Sequence, residues 1–242
     1  MTTLNPPTAK TTVGQLVAQR PSLSRLFEQL GIDYCCGGRK PLSQACRERG
    51  LDPETVLALL DASINGTDRT DERDPGAMSL TDLADHIVET HHAYLQHELP
   101  RLRHMALRVA NAHGERLPWT IELAQVVDGF VRELQSHMMK EEQILFPMVR
   151  QIDEADGPLE FHCGSLSNPI RVMEAEHQEA GDALATMRTL TSGYTPPADA
   201  CNTFRALLDG LKQLEADMHQ HVHKENNILF PRAMEREAAL EG

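Results

Sequence analysis

Aromatic side chains are scarce in this chain, only 4% of its 242 residues. β-Sandwiches and barrels fill their pleated faces with aromatic and β-branched residues, so the shortage points to helices packed on Leu, Met and Ala. Basic residues are also few, 23 against 36 acids, for a net charge of −13. Nucleic-acid binders carry a basic stripe to neutralise phosphates, and none is present, so no nucleic-acid partner is expected. No apolar run approaches the ~20 residues a membrane span needs, which sets aside an integral membrane protein. The start, Met1-Thr-Thr-Leu-Asn-Pro-Pro7, lacks the charged and then apolar stretch of a signal peptide. Five cysteines, two of them adjacent, do not make a disulfide framework, and a cytoplasmic protein is expected.

What is present is apolar material for a core, 40% of the residues, arranged at helical spacing. After a polar tail (1–10), short helical patterns run from Thr12 to Gln19 and from Pro21 through Leu23, Leu26, Phe27 and Leu30 to a capping Gly31. Two more follow Pro41 and Pro53, each proline near a helix start where its missing N–H does no harm. Between these pairs lies a Gly-rich turn, Asp33-Tyr-Cys-Cys-Gly-Gly-Arg39. Residues 65–78 are nearly devoid of large apolar side chains and read as a linker. Four long helical segments follow, from Ser79 to about Ala110, Pro118 to Gln151, Asn168 to Leu190 and Ala198 to Glu237. Pro100, Pro147 and Pro231 are expected to kink or end them. The expectation is an all-α chain: a small helical domain (1–64), a linker (65–78) and an up-down four-helix bundle (79–242).

A duplication points to chemistry. His137-Met-Met-Lys-Glu-Glu-Gln-Ile-Leu-Phe-Pro147 reappears as His221-Val-His-Lys-Glu-Asn-Asn-Ile-Leu-Phe-Pro231, and Glu89-Thr-His-His92 has a weaker echo in Glu174-Ala-Glu-His177. The i, i+4 spacing puts His137 with Glu141, and His221 with Glu225, on one helix face. That face is the apolar one. It reads Leu123, Val126, Phe130, Leu134, His137, Glu141, Ile144, Met148 in the second helix and Leu211, Leu214, Met218, His221, Glu225, Ile228 in the fourth. His92 and His177 fall in the seams of the first and third. Unpaired buried carboxylates cost several kcal/mol each, and no Lys or Arg sits in the seams to offset two of them. A cation does so, and bundles house metals on facing helices.

Imidazole and carboxylate without thiolate suit iron better than structural zinc. Two octahedral ions have about twelve positions; the four His, two bridging Glu and an oxo or hydroxo bridge leave about two open. His91 is one position off the seam, and His219 and His223 flank His221 and face away from it; these, with His86, His97, His104, His113 and His162, read as surface or supporting groups. Glu89 and Glu174, three residues before His92 and His177, are reserve ligands or supporting partners. Adjacent Cys35 and Cys36 do not readily bridge each other. With Gly37 and Gly38 beside them their thiols are expected to be exposed, as a pair that relays electrons, holds iron in transit or meets a recipient protein; the alternative is that they merely pack. Cys46, Cys163 and Cys201 are isolated and read as structural.

These residues resemble the hemerythrin-like di-iron bundles, and more narrowly the repair-of-iron-centres family of di-iron iron–sulfur cluster repair proteins. The resemblance runs over nearly the whole chain and rests on Asp33-Tyr-Cys-Cys-Gly-Gly38, Ser136–Pro147, Glu174-x-Glu-His177 and Glu225-Asn-Asn-Ile-Leu-Phe-Pro231. It puts the metal ligands at His92, His137, Glu141, His177, His221 and Glu225, with no fifth His such as oxygen carriers use. It implies two iron ions in an oxo- or hydroxo-bridged centre reactive to nitric oxide, and restoration of iron–sulfur clusters damaged by nitrosative or oxidative stress through donated iron. Implied partners are damaged iron–sulfur proteins or a cluster-assembly scaffold, with nitric oxide or oxygen as small ligands and a homodimer left open. An oxygen or nitric oxide binding sensor and a nitric oxide reductase are the alternatives.

Overall fold

The computed structural model describes residues 7–65 and 74–241, with side chains to 61 and from 74. Most of the expected linker, and residues 1–6 of the expected tail, lie outside the described residues. Everything regular among the described residues is helical; two isolated bridges, Thr12 with Pro41 and Phe161 with Gly164, are the nearest approach to a strand.

The short helices come first: α1 (Val13–Gln19), α2 (Leu23–Leu30), α3 (Leu42–Glu48) and α4 (Pro53–Asn65). Thr12 and Gln15 form a reciprocal capping box at the start of α1. Gly31, at φ 65°, closes α2, with Ile32 N–H reaching back to the Phe27 carbonyl at 2.9 Å. A single apolar cluster joins all four helices, with Val13, Leu23, Phe27, Leu42, Cys46 and Leu60 at its centre.

Then follow α5 (Leu80–Ile87), α6 (Ala93–His113), α7 (Trp119–Lys140), α8 (Phe146–Glu154), α9 (Ser167–Leu190), α10 (Asn202–Lys224) and α11 (Phe230–Glu241). Ser79 caps α5, accepting from Asp82 N–H at 3.0 Å. Three wide π turns interrupt these helices without ending them: Val88–His92, Glu141–Leu145 and Glu225–Leu229. Each closes with a bond from residue i to i−5, as from Phe146 N–H to the Glu141 carbonyl. Two of them run directly into Pro147 and Pro231, which neither end the helix nor sit in a regular α-turn. The burial pattern corrects the expected seam. Ile144 is 47% exposed and Leu145 takes its place inside; earlier on α7, Val127 rather than Val126 is the buried one.

By packing, the chain forms two compact units. One holds Ala84–Gln151 and Glu160–Met218. It is a four-helix bundle: α6 packs on α7, α7 on α9, and α10 joins both neighbours through the His91–Asp217 and Arg188–Glu215 pairs. The other holds Met1–Leu83, Ile152–Leu159 and His219–Gly242, so the chain's last helix belongs with its first four. Arg232 donates to the Met78 carbonyl at 2.7 Å and Arg236 to that of Ala155 at 2.6 Å, and α1 packs on the Glu225–Leu229 turn. No described helix is long and apolar enough to cross a membrane.

Candidate metal centre

In the bundle unit, helical spacing brings three imidazoles around one fully buried carboxylate. Glu141, the first residue of its π turn, has Oε2 3.3 Å from His92 Nε2 and Oε1 3.2 Å from His137 Nε2. His177 Nε2 stands 3.0 Å from His137 Nε2 and 3.9 Å from Glu141 Oε1. The other face of each ring shows which nitrogen carries the proton. His92 Nδ1 donates to Glu142 Oε1 at 2.8 Å, and His137 Nδ1 donates to Glu176 Oε2 at 2.9 Å. A carboxylate only accepts, so each Nδ1 carries a proton and Nε2 is the nitrogen that faces Glu141. Carboxylate-held imidazoles aimed in this way are the arrangement metal sites use. Lys140 pairs with Glu176. Burial works against ionisation of Glu176, yet the bonds from Lys140 and His137 hold its carboxyl below the usual range.

The other unit carries the second copy of the pattern. His221 Nε2 lies 3.0 Å from Glu225 Oε1, and both side chains are fully buried. The described His and Glu side chains thus include buried groups that could hold a metal ion. All six expected ligands are buried. Glu89 is exposed and Glu174 half-buried; the carboxylate that reaches a site histidine is Glu176.

Sequence reasoning missed the supporting carboxylates. Glu142 matches Asn226 and Glu176 matches His91 in the duplication, so the repeat that singled out the six His and Glu did not single out these carboxylates. His91 and His223, expected as surface or supporting groups, are both buried. His91 donates from one nitrogen to Asp217 Oδ1 at 2.8 Å, and His223 packs on the Tyr34 ring, where burial pushes its imidazole down to about 4.

The Cys35–Cys36 turn is built around Asp33. Its Oδ1 accepts from the amides of Cys35 and Cys36, both at 3.0 Å, and its Oδ2 from that of Gly37 at 2.9 Å. The expected exposure of both thiols is corrected here: Cys36 is half-buried, and Cys35 is only 5% exposed, tucked in beside Tyr34. The bond between the two thiols, with burial, pushes Cys35 up, so it is held as the thiol. Of the isolated cysteines Cys46 is buried, Cys163 half-buried and Cys201 exposed, its Sγ 3.5 Å from His113 Nε2, so Cys201 fills no core.

Comparison with known proteins fits this anatomy. The hemerythrin HHE cation binding domain matches residues 83–233, and a domain of unknown function (DUF542) matches residues 9–63. The iron-sulfur cluster repair proteins YtfE of Enterobacter sp. (strain 638) and of Escherichia coli O157:H7 are each 38% identical over 223 residues, 92% of this chain and 96% of theirs. That of Musicola paradisiaca is 38% identical over 228 residues, 93% of this chain and 97% of its own. With a cation-binding domain over most of its length and relatives matched nearly end to end, the chain belongs to the YtfE family of iron–sulfur cluster repair proteins.

Proposed function

We propose that this protein repairs iron–sulfur clusters damaged by nitric oxide or oxidants, and does so by donating iron from a di-iron centre. The observation that carries the reading is the set of imidazole Nε2 atoms facing the buried Glu141 carboxylate. His92, His137, Glu141, His177, His221 and Glu225 are the residues proposed to hold two iron ions, the family's role in iron–sulfur cluster repair supplying the direction. The hard and borderline donor set, without thiolate, favours iron over structural zinc. When bound, the irons supply a redox-active centre open to nitric oxide or oxygen, and a releasable store of the metal.

The chain's own residues do the rest. Glu142 and Glu176 fix the His92 and His137 rings by their Nδ1 protons, and both rings are buried with Glu141. Cys35 and Cys36 are the proposed thiol relay, passing iron or electrons toward a damaged iron–sulfur protein or an assembly scaffold in the cytoplasm. The division proposed is a helical domain over 1–64, a linker over 65–78 and the iron-binding domain over 79–242, in keeping with the two matched families.

The test is anaerobic purification, metal analysis and transfer to a nitric-oxide-damaged ferredoxin followed by its cluster absorbance. About two irons per chain, with cluster recovery that needs the loaded protein, is expected. Zinc or no metal in the protein, or recovery at the same rate from free ferrous iron alone, would overturn it. Iron held tightly with a reversible oxygen band would make the protein a binding or sensing module instead.

A further inference from the structure

The duplicated helices differ where one copy has something to hold. Met139, Glu142 and Gln143 of the first copy are His223, Asn226 and Asn227 in the second. Met139 is 51% exposed and Gln143 lies open, whereas His223 is buried and Asn227 half-buried. What covers the second copy is the Cys35–Cys36 turn. Asn227 Nδ2 donates to the Cys35 carbonyl at 3.0 Å and reaches the Tyr34 carbonyl at 3.3 Å, with His223 Nδ1 3.4 Å from that same carbonyl.

The glycines of the turn make room for this amide. A methyl group at Gly38 would stand 2.7 Å from Asn227 Nδ2, and one at Gly14 would stand 2.8 Å from Asn227 Cγ. Gly14 N–H in turn bonds the Gly38 carbonyl at 2.9 Å, tying α1 to the turn. Gly38 is therefore a seat for Asn227 rather than a means of exposing the thiols. Asp33, Cys35 and Cys36 have the composition of a metal triad. The Asp33 oxygens, however, are occupied by three backbone amides, which makes the carboxylate a cap for the turn.

We infer that Asn227 is a positioning residue: its amide clamps the backbone of Tyr34 and Cys35 onto the helix that carries His221 and Glu225, and keeps the Cys35 thiol covered until the clamp opens. Cys36, half-buried, is then the thiol that meets a partner first, and Cys35 the one released second. The inference rests on the proposed function only in taking the thiol pair as a working group.

The test is site-resolved iodoacetamide labelling of the full-length protein, read by mass spectrometry. Asn227→Ala removes both amide bonds, and Cys35 labelling is expected to rise about ten- to a hundredfold, the equilibrium shift from two lost hydrogen bonds. Cys36 and Cys46 should change less than about threefold on the same scale. Cys46, buried in the core of the same helical domain, reports whether that domain has simply unfolded. Asn227→Asp keeps the shape but not the donor, and should label like the alanine variant. Unchanged Cys35 labelling, labelling of Cys46 rising in step with it, or wild-type behaviour in Asn227→Asp would each overturn the clamp. Labelling needs neither iron nor a repair substrate, so loss of the proposed function leaves this result standing, and the reverse.

Discussion

Replacing Glu141 by leucine should act in opposite directions on the metal-free and metal-loaded protein. Without metal, Glu141 is fully buried among imidazoles whose Nε2 atoms face it, 3.2 and 3.3 Å away. Exchanging a buried ionic group for a well-packed apolar one of similar volume is neutral to stabilising by about 1–4 kcal/mol. The imidazoles left behind can stay neutral, so no charge is stranded. With metal, the variant lacks a ligand. At a free metal level about a thousandfold above the dissociation constant, the wild type gains about 4 kcal/mol from binding. If the substitution weakens affinity about a thousandfold, that gain falls to about 0.4 kcal/mol. For a chain of this size the missing gain corresponds to about 7–15 °C in Tm. The assay is thermal unfolding followed by circular dichroism under anaerobic conditions, with and without ferrous iron. Glu225→Leu should give the same pair of results. A metal-free Glu141→Leu protein several kcal/mol weaker than wild type would refute the reasoning, as would a metal-dependent shift of undiminished size.

Three further outcomes follow from the same geometry. Glu176→Ala removes the acceptor of the His137 Nδ1 proton and should lower metal affinity about 10–100-fold in a chelator competition. Its effect on the unfolding of metal-free protein should stay within about 1 kcal/mol, since Glu176 is a partly exposed partner. Ile144→Ala should change stability by no more than about 0.5 kcal/mol in urea unfolding. Leu145→Ala should cost about 2–5 kcal/mol in the same experiment, and equal costs would refute the difference in burial between the two. Gly14→Ala would push a methyl to 2.9 Å from the Gly38 carbonyl and should cost about 1–3 kcal/mol, with Gly129→Ala, a helical glycine that meets nothing within 4 Å, as the control.

The helical class, the four short helices and the burial of six His and Glu side chains were legible because each is written in spacing. The capping box at Thr12, the Gly31 stop and the His-x3-Glu pairs are all local, and local rules survive burial. What was not legible depends on partners far along the chain. Ile144 and Leu145 are both apolar, so nothing in their identities says that Leu145 alone is covered; in the second copy, with the same π turn, Ile228 and Leu229 are both buried, so the packing neighbours decide it. Glu176 is one acid among many until His137 is brought beside it. Cys35 looked exposed because adjacent glycines ordinarily open a turn, whereas here they admit a side chain from more than 180 residues away, a bond with a separation of 192.

The wide turns also bear on descent. A π turn is what an α-helix becomes when it gains one residue and keeps both ends, so Glu141–Leu145 and Glu225–Leu229 read as matching single-residue insertions, carried in both halves of the duplication. Removing one residue there would restore a straight helix and rotate everything beyond it by about 100°. Leu145 and Val149 would swing from the core toward water, and the ligand face would part from the packing face. A lineage can therefore lose this site by shortening a helix by one position, with every His and Glu still in its sequence.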